Sequence, residues 1–136
     1  MKPKVFVDTD IIYDLLARRE PHYQAAARLF TLSDGVKIQV FISALTIANI
    51  HYLISKQLSA GEAKQIIRKF KLLVHILPVN EKIIDLALNS DFNDFEDAVQ
   101  YYCAIENDIE LLLTRNLKDY KKARISVMTA QDFINL

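Results

Sequence analysis

Short apolar runs alternate along this chain with longer stretches whose apolar residues recur at helical spacing. The short runs predict strands over residues 2–7, 37–42, 74–77, 110–113 and 125–127. The longer stretches predict helices over residues 11–18, 25–32, 44–56, 59–73, 80–88, 94–107 and 130–136. Such alternation is typical of a parallel sheet covered on both faces. We therefore expect one domain over residues 1–136, an α/β/α sandwich with about five mostly parallel strands.

Polar residues at the predicted helix starts supply candidate caps. Caps are predicted at Asp10, Ser43, Ser59 and Asn80. Ser59 also opens a Ser-x-x-Glu capping box. Pro21 suits the first position of a helix, and residues 33–35 predict a turn.

Composition narrows the possible functions. The 136 residues are 51% hydrophobic, enough for a core, and 17 basic residues balance 17 acidic ones. Any nucleic-acid binding must therefore come from local clustering of basic residues. The one cysteine, Cys103, excludes an intramolecular disulfide and is predicted to be a core residue. Without an apolar run of about 18 residues or a signal-like start, we expect a cytoplasmic protein with no membrane contact.

Polar oxygen-bearing residues recur where predicted strands end or helices begin. They are Asp8, Asp10, Asp94, Asp97, Asn116 and Asp119. In a parallel α/β sheet the carboxyl ends of the strands open into a shared crevice. Carboxylates gathered there repel each other unless a cation neutralises them, and their hard oxygen atoms suit Mg²⁺ or Mn²⁺. The pattern predicts a metal site for phosphate chemistry.

Asp8 and Asp97 are the strongest candidate ligands and catalytic residues. Asp8 follows a buried strand directly, and an unpaired charge in the core is very costly, so its carboxylate should face the crevice. An Asx-turn or cap is the alternative, but Asp10 is expected to fill that role. Asp97 shares a helix face with Asp94, which is predicted to be the helix cap or an outer helper of the metal site.

The segment after the fourth strand offers further candidates. Asn116 is either a neutral ligand or a cap, and Asp119 is either a water-mediated ligand or a partner of Lys122. Arg115 and Lys118 either hold substrate phosphates or lie on the surface. In the first loop, the Thr9 hydroxyl is a substrate contact or part of a turn.

Two further predictions concern side chains outside this metal set. Asp14 lies four residues before Arg18 on one helix, which predicts an ordinary surface ion pair. Tyr13, Tyr23 and Tyr120 are weaker candidates for stacking on the bases of a single-stranded nucleic acid, should the phosphate chemistry act on one.

The chain resembles the PIN-domain nucleases, which include toxins of bacterial toxin–antitoxin pairs. The resemblance covers almost the full length and rests on the order of residues 5–12, 42–50, 94–98 and 114–120. It implies an α/β/α sandwich, a Mg²⁺ or Mn²⁺ site, endoribonuclease activity, an antitoxin partner and a homodimer. A metal-activated water would hydrolyse the phosphodiester.

Position by position, the resemblance assigns Asp8 as the first acidic ligand and Asp97 as the acid on the central helix. The loop from Thr114 to Asn116 matches the one that holds the last acidic group. Asn49 stands where the family often carries a glutamate. Because amides keep an oxygen donor but lack the charge, Asn49 and Asn116 predict weaker metal binding unless Asp94 and Asp119 reach the cation.

Two other functions stay open on the residues alone. Asp8-Thr9-Asp10 superficially matches the nucleophile loop of aspartyl-phosphate phosphatases, in which the first Asp attacks phosphorus. However, the late lysine that such enzymes need is replaced here by Thr-Arg-Asn. The other alternative is a binding module that keeps the fold without the chemistry, which the Asn49 and Asn116 substitutions motivate.

Overall fold

The computed structural model describes residues 2–34 and 37–136, and in this part of the chain it confirms the predicted α/β/α sandwich. A single sheet has the strand order β3-β2-β1-β4-β5, and each neighbouring pair is parallel. The strands are β1 Lys4–Val7, β2 Gln39–Ser43, β3 His75–Leu77, β4 Leu111–Leu113 and β5 Ser126–Met128.

Helices cover both faces of the sheet. The α-helices are α1 Thr9–Leu16, α2 Tyr23–Asp34, α3 Ala44–Gln57, α4 Ala60–Phe70, α5 Glu81–Leu88, α6 Phe95–Glu106 and α7 Ala130–Ile134. Two 3-10 turns span Lys71–Leu73 and Leu117–Tyr120. Within residues 2–34 and 37–136, no helix combines the length and apolar character needed to cross a membrane.

The central strand β1 divides the core into two layers by simple alternation. Val5 and Val7 pack with α1 to α4 and α7, whereas Phe6 packs with α5 and α6. Successive side chains of a strand point to opposite faces, so a strand covered on both sides must be apolar throughout. This explains why residues 5–7 form an unbroken apolar run.

The sheet reverses its direction of growth beside β1. The chain runs from β1 outward through β2 to β3, then returns to place β4 and β5 on the other side of β1. Phe6 pairs with Leu112 and Val7 with Leu113, so β1 and β4 end side by side. Ligand crevices in open α/β sheets form at such reversals, outside the carboxyl ends of the strands. Asp8 and Thr114 are the first residues beyond these two strands.

Several helix boundaries differ from the sequence prediction. Helix α1 begins at Thr9, and its cap is Asp8 rather than Asp10. Helix α2 begins at Tyr23, so Pro21 precedes the helix, and it continues to Asp34, so the turn predicted at residues 33–35 is wrong for its first two residues. The third residue, Gly35, lies outside the described residues. The apolar face of α2 packs on the core and extends the helix beyond its local stop signal.

Other local predictions are confirmed. Ser43, Ser59, Asn80 and Asp94 each accept a hydrogen bond from the backbone N–H three residues onward. Two helix ends are exceptions: the helix predicted to reach residue 73 changes to a 3-10 turn after Phe70, and α7, predicted to reach residue 136, ends at Ile134. Cys103 is fully buried, as predicted.

Candidate active site

The crevice at the reversal point brings acidic residues that follow β1 together with others from the start of α6. Asp8, Asp10 and Asp97 line one cavity of about 340 Å³. Thr9, Glu96, Gln100 and Asn116 line the same cavity. The Asp8 N–H donates to the Leu113 carbonyl at 2.9 Å, which fixes the start of the first loop against the end of β4. Chain segments about 90 residues apart therefore meet at one point.

Asp8 is a buried carboxylate held by three donors. The Thr9 N–H donates to its Oδ1 at 2.7 Å, and the hydroxyls of Thr114 and Tyr120 donate to its Oδ2 at 2.9 and 3.0 Å. Burial, followed by the negative charge of Asp10, raises the pKa of Asp8 to about 7, although the hydrogen bonds act in the opposite direction. Asp8 therefore caps α1 and also lines the crevice, whereas the sequence analysis treated these roles as alternatives.

Asp97 lies in the first turn of α6, where the Asp94 carboxylate accepts its backbone N–H at 3.0 Å. Partial burial, followed by the negative charge of Asp8, raises the pKa of Asp97 to about 7. The charges of Asp94, Asp119 and Asp10 act in the same direction. Such mutual repulsion requires that these carboxylates lie close together. The expected convergence of Asp8 and Asp97 on one crevice is thus present in the structure.

Asp10 is more central than the sequence suggested. Its Oδ2 accepts from the Arg115 N–H at 3.1 Å and from the Asn116 amide at 3.3 Å, and it also lies 3.3 Å from the Thr114 hydroxyl, which makes its shorter hydrogen bond to Asp8. Its Oδ1 is buried and has no hydrogen-bond partner. Burial raises the pKa of Asp10 as well. A buried carboxylate oxygen without a donor is costly, and a bound cation would remove that cost.

Arg115 is anchored by an ion pair across the fold. Its guanidinium donates to both carboxylate oxygens of Asp14, at 2.6 and 3.3 Å, and Arg19 approaches the same group at 3.7 Å. The predicted surface pair between Asp14 and Arg18 is therefore wrong. Asp14 is buried, and Arg18 lies beyond the end of α1 with a φ of 52°. A phosphate contact by Arg115 stays a prediction, and it would have to compete with Asp14.

The remaining candidates from the last loop lie around the rim. Asn116 directs its amide group toward Asp10 and gives no side-chain cap to the following 3-10 turn. Lys118 and Asp119 are exposed in that turn. Among the described residues, Asp119 and Lys122 form no ion pair, and the Lys122 ammonium donates instead to the Asp91 carbonyl at 2.7 Å. Tyr120 is buried beside Asp8 and is not available for stacking on a base.

Asn49 meets a carboxylate from the opposite helix. Its amide donates to Glu96 at 3.4 Å, between α3 and α6. Glu96 is exposed to solvent, as predicted, but it also lines the crevice. Glu96 therefore places a negative charge close to Asn49, which stands where the resemblance implies a glutamate.

Sequence reasoning missed a buried polar network under the first loop. The Gln100 Nε2 donates to the hydroxyls of Thr9 and Thr46, each at 2.8 Å, and the Ser43 hydroxyl donates to its Oε1 at 2.6 Å. The two threonine hydroxyls lie 2.8 Å apart. A glutamine within the apolar residues 98–104 was the available signal, because a buried polar side chain must find partners.

The donor set suits a hard divalent cation. Clustered carboxylates with raised pKa values and the unpartnered Asp10 Oδ1 are features that a bound cation relieves. Within residues 2–34 and 37–136, no three acidic, histidine or cysteine side chains already converge as a complete cage. Only part of a coordination shell is thus preformed, which resembles Mg²⁺ sites in which waters and substrate phosphates complete the shell.

Comparison with known proteins places this geometry in a family. A relative described as Ribonuclease VapC1, from Aquifex aeolicus (strain VF5), is 25% identical over 135 residues, covering 96% of this chain and 92% of the relative. A toxin–antitoxin complex from Klebsiella pneumoniae has a similar fold, with a TM-score of 0.70 and 22% identity, covering 93% of this chain and 97% of the other. VapC20 of Mycobacterium tuberculosis, described as a Sarcin-Ricin loop cleaving toxin, matches with a TM-score of 0.64 and 18% identity, covering 79% and 86%. The model of the PIN domain matches residues 4–118, and this chain therefore belongs to the PIN-domain family.

Proposed function

We propose that this protein is a Mg²⁺- or Mn²⁺-dependent endoribonuclease and the toxin of a toxin–antitoxin pair. The observation that carries the proposal is that Asp8 and Asp97 line a single crevice with strongly interacting carboxylates. Membership of the PIN-domain family and the relative described as a ribonuclease support the same activity.

Asp8 and Asp97 would hold the cation, with the unpartnered Asp10 Oδ1 as a further donor. When bound, the cation would lower the pKa of a water and offset negative charge on the phosphate. Thr114 and Tyr120 bind Oδ2 of Asp8, and Oδ1, which accepts only the Thr9 N–H among the donors described, would retain a lone pair for the cation. Asp94 fixes the start of α6, which determines the position of Asp97.

The buried network would prepare Thr9 for a phosphate oxygen. Because Gln100 donates to both Thr9 and Thr46, each hydroxyl oxygen is an acceptor and retains its own proton. When Thr46 donates to Thr9, the Thr9 proton is free to be donated to a substrate oxygen in the crevice. Ser43 satisfies the Gln100 carbonyl and thereby fixes the orientation of the amide.

Cleavage of a single-stranded RNA in the presence of Mn²⁺ tests this activity. The parent should be compared with Asp8→Asn and Asp97→Asn, and with Asp85→Asn, an exposed aspartate on α5, as the matched control. We expect losses of at least about a hundredfold for the first two variants, because the cation contributes several kcal/mol at the transition state. Asp85→Asn should cleave as the parent does. Equal, metal-independent cleavage by all four proteins would reject the site.

A binding module without catalysis is the second candidate, and the loop after β4 favours it. Asn116 contributes an amide instead of a carboxylate, and Arg115 is occupied by Asp14. Absence of cleavage by the parent with either metal, together with tight binding of RNA or protein, would support this alternative.

We propose an antitoxin protein as the partner, supported by the similar fold of a solved toxin–antitoxin complex from Klebsiella pneumoniae. A homodimer stays a prediction that sedimentation would test.

A further inference from the structure

A second cavity with aromatic walls and a basic rim lies beside the crevice. Its volume is about 570 Å³, within the usual range of ligand sites of about 300–1,000 Å³. Phe92, Tyr101 and Tyr102 form its aromatic side, and Lys122 and Arg124 supply the cations. No residue assigned to the crevice above lines it.

The aromatic side is a preformed cluster. The ring centroids of Phe92 and Tyr101 lie 5.0 Å apart, and those of Tyr101 and Tyr102 lie 4.9 Å apart in an edge-to-face arrangement. The Tyr101 hydroxyl accepts a hydrogen bond from the backbone N–H of Arg124 at 3.1 Å, which fixes the segment that carries Lys122 and Arg124 against α6. Tyr102 is only half-buried, so part of its ring is accessible from the cavity. Accessible rings of this kind are stacking platforms for unpaired bases.

The rim concentrates positive charge in a chain whose total charge is balanced. Residues 118–124 contain four cations, Lys118, Lys121, Lys122 and Arg124, and a single acid, Asp119. Among the described residues, none of these four forms an ion pair with a carboxylate. Among the described residues that line the cavity, Asp91 is the single acid, against the two cations Lys122 and Arg124. A local surplus of this sign suits a polyanion.

Residues 118–122 lead from the second cavity toward the candidate active site. A smaller cavity shares Asp91, Phe92 and Lys122 with the second cavity and extends to Lys118 and Asp119. The charge of Asp119 in turn raises the pKa of Asp97 in the crevice. A bound polymer that extended from the crevice past Asp119 would therefore reach the aromatic side of the second cavity next.

We propose that this aromatic–basic cavity is a binding subsite for a nucleotide that flanks the scissile phosphodiester of single-stranded RNA. Its base stacks on Tyr102, and its phosphate pairs with Lys122 and Arg124. The choice of RNA rests on the proposed function, but the subsite itself binds without metal and without cleavage. Such contacts tolerate different bases, so the subsite contributes affinity and register more than sequence preference.

Binding of a fluorescent single-stranded RNA oligonucleotide in EDTA tests the subsite independently of catalysis. We expect Tyr102→Leu to weaken binding by roughly tenfold, since stacking on one aromatic ring is worth about that much or more. Tyr102→Phe should bind as the parent does, because the ring is retained. Thermal unfolding of each variant verifies that it is folded.

The charged rim is tested by the double variant Lys122→Gln/Arg124→Gln. If each side chain contacts a phosphate, the slope of log affinity against log salt should fall by about 1.4, or about 0.7 for each lost contact to a single strand. The matched control is Arg68→Gln/Lys69→Gln, which removes two exposed cations from α4 and should leave both affinity and slope unchanged.

Photo-crosslinking of RNA that carries 5-iodouridine locates the base directly. The proposal expects the adduct on Tyr102 or Phe92. Parent-like binding by Tyr102→Leu, an equal loss in the α4 control, or adducts only elsewhere would overturn it, whether or not the parent cleaves RNA. A failure of cleavage with these binding results intact would instead reject only the proposed function.

Discussion

Asp8 and Asn80 perform the same local task in very different surroundings. Each follows a strand and caps the next helix, with the Asp8 side chain accepting from Thr9 and the Asn80 side chain from Ile83. Asn80 follows the edge strand β3 and is exposed, whereas Asp8 follows the central strand β1 and is only 6% exposed. The same cap is thus a simple helix start at the edge of the sheet and part of a reactive cluster at its centre.

The difference shows that position in the strand order, not local sequence, decides what a cap can do. At the centre, neighbouring strands deliver further side chains to the same point, and burial raises the pKa of Asp8 to about 7. At the edge, solvent replaces those neighbours. The following predictions test this contrast from the largest expected effect to the smallest.

Gln100→Leu should give the largest change in stability. It leaves the buried hydroxyls of Ser43 and Thr46 and the partly buried hydroxyl of Thr9 without their central partner, which should cost about 1–3 kcal/mol of unfolding free energy. Under the proposed mechanism, RNA cleavage should also fall, because Thr9 loses its donor. Chemical denaturation measures the first effect, and Gln65→Leu, at an exposed position on α4, is the control. Equal unfolding free energies for both variants would show that the network contributes nothing.

Asp97→Asn should stabilise the protein in EDTA, in contrast to its expected effect on cleavage. A carboxyl whose pKa is raised from 3.8 to about 7 weakens the fold when it is ionised. The penalty is absent below the unfolded pKa, grows as the pH rises, and is complete above pH 7. We expect a gain of about 1–2 kcal/mol at pH 8, after a discount for the exposed half of the side chain, and little gain at pH 4.

Denaturant unfolding at the two pH values measures this difference, with Asp85→Asn as the control on α5. Saturating Mn²⁺ should stabilise the parent and reduce or reverse the advantage of the variant. A gain that does not depend on pH would contradict the electrostatic account of the crevice.

Asn80→Ala should have the smallest effect. It distinguishes a cap that only begins a helix from one that also lines the candidate active site. Loss of its hydrogen bond to Ile83 should cost about 1 kcal/mol and lower the Tm by a few degrees. The rate of RNA cleavage well below the Tm should be unchanged. A loss of cleavage as large as that of Asp8→Asn would show that the contrast between edge and centre is wrong.

The elements and the crevice were accessible to sequence analysis because they depend on local or general rules. The spacing of apolar residues identified the strands. The rule for parallel sheets predicted that Asp8 and Asp97 meet in the crevice at the carboxyl ends of the strands. Helix ends were less accurate at α2, where packing against the core extends the helix to Asp34. A local stop signal does not contain that information.

The missed parts of the site depend on contacts between distant residues. Arg115 and Asp14 are 101 positions apart, and Gln100 and Thr9 are 91 apart. Helical spacing suggested Arg18 as the partner of Asp14, but α1 ends before Arg18. Asp14 lies three positions after the buried Ile11, so a charge on the apolar face was a sign that a distant partner was needed.

The most direct test is a crystal structure of the protein soaked in Mn²⁺, with the metal located by its anomalous scattering. The account predicts a peak within about 2.0–2.4 Å of carboxylate oxygens from both Asp8 and Asp97, as for hard divalent ions on oxygen ligands. Full occupancy of Mn²⁺ elsewhere, with these two carboxylates unliganded, would contradict it.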